Sequence, residues 1–175
     1  KMVGYYKQPE LTAESFTEDG FFRTGDLGER DHTGLPKLTG RAKELFKTAK
    51  GKYVAPAPIE NLLGENPLIE TVMVSGVGQP AAYALVVLAE EVRPTTSDPA
   101  VRARIERELG ALLADVNRQL PDYEQLKMIV IAREPLSIEN GLLTPTMKVK
   151  RAKVEAAVDA QLAKWYAAKG PVVWA

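Results

Sequence analysis

An α+β domain, with a central sheet of three or more strands flanked by helices, is the fold class that three observations predict. Two apolar runs, 71–75 (TVMVS) and 83–88 (YALVVL), flank a glycine-proline turn, as antiparallel neighbours do. After Asp98-Pro99 the residues Val101, Ile105, Leu109, Leu112, Val116 and Leu120 recur every three or four positions, which is the stripe of a long amphipathic helix. A further run, 127–132 (KMIVIA), follows the Pro121 that closes that stripe.

Taken in order, residues 1–40 are rich in turn signals, at Asp19-Gly20, Gly25-Asp26 and Thr33-Gly34. They predict a short strand at 21–23 and another at 35–39, joined as a hairpin, but no core of their own. Pro58 suits the first turn of a short helix that carries Ile59, Leu62 and Leu63 on one face and stops at Gly64. The run 83–88 is apolar at every position, so it is expected to be a central strand. Residues 93–99 read as a polar loop. Asp98 offers a capping oxygen, and Pro99 sits where its missing N–H costs nothing. Val154, Val158, Leu162 and Trp165 predict a last amphipathic helix. The sum reads as a sheet with helices packed on one side.

Composition removes several function classes. The 175 residues suit one domain or slightly more. Basic and acidic residues balance at 23 each, and an isoelectric point near 6.8 argues against nucleic acid as a partner. There are no cysteines, which excludes thiol catalysis and cysteine-bound zinc, and a lone histidine, His32, excludes a multi-histidine metal site. His32 lies in the polar run GERDHTG and reads as a turn residue. The longest apolar run, 81–89, is far short of the ~20 residues of a membrane span, so the expectation is a cytoplasmic protein with no metal site. The opening Lys1-Met2-Val3-Gly4 reads as the middle of something longer, an excised piece.

Two stretches carry candidate chemistry. In FRTGD, Asp26 at the tip of a glycine turn could hold a vicinal diol as acidic residues hold a ribose, or be a turn residue only. In GRAKELFKTAKGKYVAP, residues 40–56, four lysines and one arginine gather around glycines. A nucleic-acid patch, a phosphate-cradling loop and a solvated surface are the competing readings.

The order GFFRTGD, then GRAKELFKTAKGKYVAPAPIE, then LLTPTMKVKRAKVE resembles three signature regions of the adenylate-forming superfamily of acyl-CoA synthetases, nonribosomal adenylation domains and luciferases. PAPIE with NGLLTPTMKVKR is most similar to the long-chain fatty acyl-CoA synthetase branch. The resemblance implies that residues 1–40 are the tail of a large N-terminal part and 41–175 a small mobile C-terminal domain. It further implies a reaction in two halves: a fatty acid and ATP give acyl-AMP, and coenzyme A then displaces AMP, with a domain rotation between them. The phosphate loop and magnesium ligands of that family have no match here and would lie upstream, so the piece alone is expected to be inactive.

By this resemblance Asp26 holds the ribose hydroxyls, Arg41 contacts the nucleotide and Lys43 is the hinge. Lys47 faces the active site after rotation, Lys50, Gly51 and Lys52 approach coenzyme A, and Lys148 reaches in during adenylation. Met147 stands where the family usually has glycine, and Lys150, two residues beyond Lys148, competes for the adenylation role. Two other readings stand beside this one: an adenylation domain of a carboxylic acid reductase or nonribosomal synthetase that loads a carrier protein, and a non-catalytic α+β binding module.

Overall fold

The computed structural model describes residues 2–175, so Lys1, where the reading of an excised piece begins, lies outside the described residues. The chain divides into two compact units, the first ending at Glu44 and the second spanning Leu45–Ala175, a few residues beyond the boundary expected at 41.

In the first unit a short helix α1 (Pro9–Glu14) precedes an antiparallel hairpin of β1 (Asp26–Arg30) and β2 (Pro36–Arg41), and a 3-10 turn, Ala42–Glu44, follows. The hairpin's first strand is not the expected 21–23. Phe22 makes only an isolated bridge to Phe16, their rings edge to face at 5.4 Å. The reason lies in the turn. Asp31 accepts hydrogen bonds from the Thr33 N–H at 2.7 Å, the Thr33 hydroxyl at 2.6 Å and the Leu35 N–H at 3.0 Å. That Asx-type lock closes a tight turn, so pairing starts at the residues next to it, Arg30 with Pro36. The Thr33 hydroxyl, with the backbone donors, holds the Asp31 carboxyl below its usual range. His32 is exposed in this turn.

The second unit opens with a two-residue hairpin, β3 (Phe46–Lys47) and β4 (Tyr53–Val54), then α2 (Pro56–Gly64). Strands β5 (Ile69–Ser75), β6 (Ala82–Leu88), β7 (Leu126–Ile131) and β8 (Val172–Trp174) form one sheet in the order β5-β6-β7-β8. Helix α3 (Pro99–Gln119) connects β6 to β7, and α4 (Arg151–Ala167) connects β7 to β8. The first pair is antiparallel and the other two are parallel.

Every residue of β6 is buried, as its unbroken apolar run requires. Its alternate side chains feed two cores. Ala84, Val86 and Leu88 join Ile59 and Leu63 of α2 and Ile105, Leu109, Leu113 and Val116 of α3. Tyr83 and Leu85 face the other way, with Met128, Val130 and the α4 residues Val154 and Trp165. Helices therefore cover both faces of the sheet, which corrects the one-sided arrangement expected. A strand with no polar face has no side to leave in water, and α4 covers the second. Each fully buried aliphatic side chain of this kind contributes roughly 1.5–3 kcal/mol.

The expected cap is present, since the Ala100 N–H donates to Asp98 Oδ1 at 2.8 Å. The α2 helix begins at Pro56, two residues before the proline expected to open it. Between Ser75 and Ala82 the chain reverses at Gly76, where a Cβ would meet the Ala82 Cα at 2.8 Å.

Candidate functional site

The candidate residues fall into three groups, one in the first unit and two in the second. In the first, β-pairing sets Asp26, the opening residue of β1, opposite Arg41, the closing residue of β2. Arg41 Nε lies 3.4 Å from Asp26 Oδ1, and the Asp26 N–H donates to Thr24 Oγ1 at 3.1 Å. Asp26 is thus a strand residue rather than the tip of a turn. Its side chain is 30% exposed and that of Arg41 63%, so both are reachable from solvent. An acceptor for a diol and a cation for a phosphate stand side by side on one strand pair. Lys43 follows within the 3-10 turn, exposed, one residue before the unit ends.

The second group is the β3–β4 hairpin. Lys47 pairs with Tyr53, and its ammonium lies 5.6 Å from the Tyr53 ring centroid. The connection closes through Thr48: its N–H donates to the Lys52 carbonyl at 3.0 Å and its carbonyl accepts from Gly51 N–H at 2.9 Å. Gly51 has φ +77°, the left-handed conformation that admits glycine without strain. Two bonds anchor the hairpin to the β5–β6 turn, Gly78 N–H to the Lys47 carbonyl at 3.0 Å and Ala49 N–H to the Gln79 carbonyl at 2.9 Å. The backbone is thereby fixed while Lys47, Lys50 and Lys52 remain exposed. Lys52 Nζ lies 6.0 Å from the Tyr123 ring centroid.

The third group is the loop before α4. Leu143 bridges Val149, and between them Thr144 closes a turn. Its N–H donates to the Lys148 carbonyl at 2.8 Å, its carbonyl accepts from Met147 N–H at 2.9 Å, and its Oγ1 accepts from Lys148 N–H at 3.0 Å. Met147 has φ +60° and is 66% exposed. The backbone here is left-handed, which gives a steric reason why glycine suits this position; a side chain costs roughly 1–2 kcal/mol. Lys148 is exposed at the end of this turn, whereas Lys150 is half-buried at the N-cap of α4, where its carbonyl accepts from Lys153 and Val154 N–H groups.

The sequence reading missed what holds this loop. Arg151, the first residue of α4, donates to both Glu60 carboxylate oxygens, at 2.7 and 2.6 Å, and to the Val74 carbonyl at 3.1 Å. Glu60 in turn accepts from the Val74 N–H at 2.7 Å. Their side chains are only 24% and 14% exposed. This clamp joins α2, β5 and the start of α4, three residues from Lys148. The acid ends PAPIE and the arginine ends MKVKR, so both lay inside the motifs, but nothing in the sequence pairs residues ninety-one apart.

A second polar cluster lies against α4. The Ser75 hydroxyl donates to Glu155 Oε1 at 2.6 Å beside a cavity of about 470 Å³ that Tyr83 and Asp159 also line. Burial, with Glu155 adding to it, pushes the Tyr83 phenol up to about 12, so it stays protonated. Among the described residues no three carboxylate or imidazole side chains come together as metal ligands.

Residues 44–170 match the sequence profile of the family described as AMP-binding enzyme C-terminal domain. Similar curated proteins include long-chain-fatty-acid–CoA ligase 5 of Rattus norvegicus, 35% identical over 93% of this chain and 26% of its own length. A long-chain-fatty-acid–CoA ligase of Mycobacterium tuberculosis is 36% identical over 85% of this chain and 26% of its own length. The chain therefore spans about a quarter of the curated relatives it matches. Among solved structures, the adenylation domain of a carboxylate reductase from Mycobacterium chelonae superposes with a TM-score of 0.76 at 30% identity, covering 95% of this chain and 26% of that one. An adenylation and carrier didomain of carboxylic acid reductase from Segniliparus rugosus, in complex with AMP, gives 0.74 at 33% identity, covering 94% and 23%.

Proposed function

The chain belongs to the AMP-binding enzyme C-terminal domain family, and from that premise we propose that it works as the C-terminal part of an ATP-dependent fatty acyl-CoA synthetase. In this reading residues 1–40 are the tail of the large N-terminal domain, the chain's main partner, and residues 41–175 are the mobile domain. A fatty carboxylate attacks the α-phosphate of ATP, pyrophosphate leaves, and the thiol of coenzyme A then displaces AMP from the acyl carbon.

The observation that carries the reading is the separation of the lysines onto two fixed loops. Lys47 stands on the β3–β4 hairpin and Lys148 on the turn before α4, each exposed on a hydrogen-bonded backbone. Two half-reactions run in turn need two cationic faces presented in turn, and a point charge aimed at the oxygens where negative charge builds lowers that barrier most. We assign Lys148 to adenylation, because it is exposed whereas Lys150 is half-buried at a helix cap. Lys47, with Lys50, Gly51 and Lys52, serves the thioester step near the phosphates of coenzyme A. Asp26 and Arg41 hold the ribose and a phosphate of ATP or AMP, and their side-by-side placement in the β1–β2 register supports this. Lys43, one residue before the division between the units, is the hinge. Among the described residues no cluster of carboxylates suits magnesium; in this reading its ligands belong to the larger protein.

The fit to carboxylate reductase adenylation domains favours a second reading, in which the acyl group passes to a carrier protein. The experiment is an acceptor comparison with the longer protein that contains this chain, loaded with a fatty acid and ATP. Acyl-CoA formed with free coenzyme A, and no loading of a phosphopantetheinyl carrier, supports the synthetase. Carrier loading without acyl-CoA overturns it in favour of the second reading, and the absence of fatty-acid-dependent pyrophosphate exchange overturns both.

A further inference from the structure

The second unit also holds a basic crevice that the adenylation reading does not use. Strands β6, β7 and β8 run parallel, and their carboxyl ends, Leu88, Ile131 and Trp174, line one cavity of about 340 Å³. The connections leaving them explain why it is open. From β6 the chain passes to α3, packed on one face of the sheet; from β7 it passes to α4, packed on the other. Adjacent strands whose outgoing chains part to opposite faces leave a crevice beyond their carboxyl ends, which is where open α/β sheets bind ligands.

The side chains around this crevice are cationic. Arg93, Arg102 and Arg133 all line it, and among the described residues no acidic side chain does. The chain as a whole is neutral, with 23 basic and 23 acidic residues; Glu70 offsets the charge of Arg93, and Arg102 and Arg133 remain as a local positive excess that raises the concentration of anions there. Their settings differ. Arg93 Nη1 lies 2.9 Å from Glu70 Oε2, yet that buried nitrogen makes no hydrogen bond among the described residues. Arg102 stacks on the Trp174 ring at 4.1 Å, and Trp174 is itself held by its indole N–H donating to Glu106 at 2.7 Å. Stacking fixes the plane of the guanidinium and leaves its N–H edge for a ligand. Arg133 is exposed at the exit of β7.

We propose that this crevice is a binding site for a phosphate-bearing anion. One carboxylate occupies a single arginine fork, whereas a phosphate or pyrophosphate has oxygens and charge enough for two or three. The Trp174 face is already covered by Arg102, so recognition rests on the phosphate rather than on a stacked base. The inference does not depend on the adenylation reading.

Trp174 provides the readout, because the only other tryptophan, Trp165, is buried under α4 in the second core. Inorganic pyrophosphate, inorganic phosphate and AMP are titrated separately into the 175-residue chain at constant ionic strength, with tryptophan fluorescence and calorimetry followed together. The expected result is a saturable change with pyrophosphate, weakened about tenfold or more in Arg133→Gln, as loss of a charge-assisted bond predicts. Arg133 is exposed, so this variant should keep the melting temperature of the parent. Tighter binding of AMP than of inorganic phosphate assigns the anion to a nucleotide, and equal or weaker binding assigns it to the free ion; either upholds the site. A response matched by sodium chloride, a response unchanged in Arg133→Gln, or no response overturns it.

Discussion

Removing the carboxylate of Glu60 is the perturbation whose effect can be worked most fully from the geometry. Glu60→Ala deletes two charge-assisted hydrogen bonds to Arg151 and the acceptor of the Val74 N–H. It also takes from a guanidinium that is only 24% exposed the carboxylate that both of its short bonds reach. Truncating one partner of a buried pair costs about 3–5 kcal/mol. Residual exposure lets water reach Arg151, so the lower end, about 3 kcal/mol, applies. At roughly 2–4 °C per kcal/mol for a chain of this size, the melting temperature should fall by about 6–12 °C. Near-UV circular dichroism during heating is the assay, since Trp165 and Tyr83, in edge-to-face contact at 6.0 Å beneath α4, report the packing that Arg151 anchors. The double variant Glu60→Met with Arg151→Met removes both charges and keeps volume, so most of the loss should be recovered. A fall of less than about 2 °C for Glu60→Ala, or a double variant worse than the single, would refute the clamp as the support of the loop before α4.

Three further outcomes follow from the same reasoning. Met147→Val should destabilise the loop by about 1 kcal/mol or more relative to Met147→Gly, because a β-branched residue is least tolerant of φ +60°; chemical denaturation of the two variants measures the difference. Asp98→Ala should cost about 1 kcal/mol through loss of the bond to Ala100 N–H, read as a lower denaturation midpoint with unchanged slope. In the longer protein Lys43→Pro, which fixes φ near about −65°, should leave pyrophosphate exchange near normal and reduce acyl-CoA production severely, while Lys43→Ala is mild. Parallel loss of both half-reactions with a lowered melting temperature would contradict the hinge assignment.

The elements that could be read in the sequence were those whose period or cap is local. The α3 stripe after Asp98-Pro99, the all-apolar β6 and the Trp165 face of α4 all announced themselves, and the motif order identified the family. What could not be read was set by pairing partners, near or far, and by elements too short to show a period. β8 is three half-buried residues whose strand character comes from pairing with β7. The β3–β4 hairpin is two residues a side, too short for any alternation to register. Placing β1 at 26–30 rather than 21–23 required knowing that Asp31 would lock the turn. In the candidate site, the lysines could be named from their motifs, but the Glu60–Arg151 clamp and the arginine crevice exist only after α2, β5 and α4, or the ends of β6, β7 and β8, have come together.

The central claim, that the turn before α4 carries the adenylation lysine, is tested most directly by measuring both half-reactions of Lys148→Ala in the longer protein. Acyl-AMP formation is followed by pyrophosphate exchange, and thioester formation is followed separately from supplied acyl-AMP and coenzyme A. The account predicts a loss of about two to three orders of magnitude in the first, as for removal of one preorganised donor to a developing oxyanion, with the second much less affected and Lys150→Ala nearly silent in both. Equal damage to the two half-reactions, or a larger loss for Lys150→Ala than for Lys148→Ala, would contradict it.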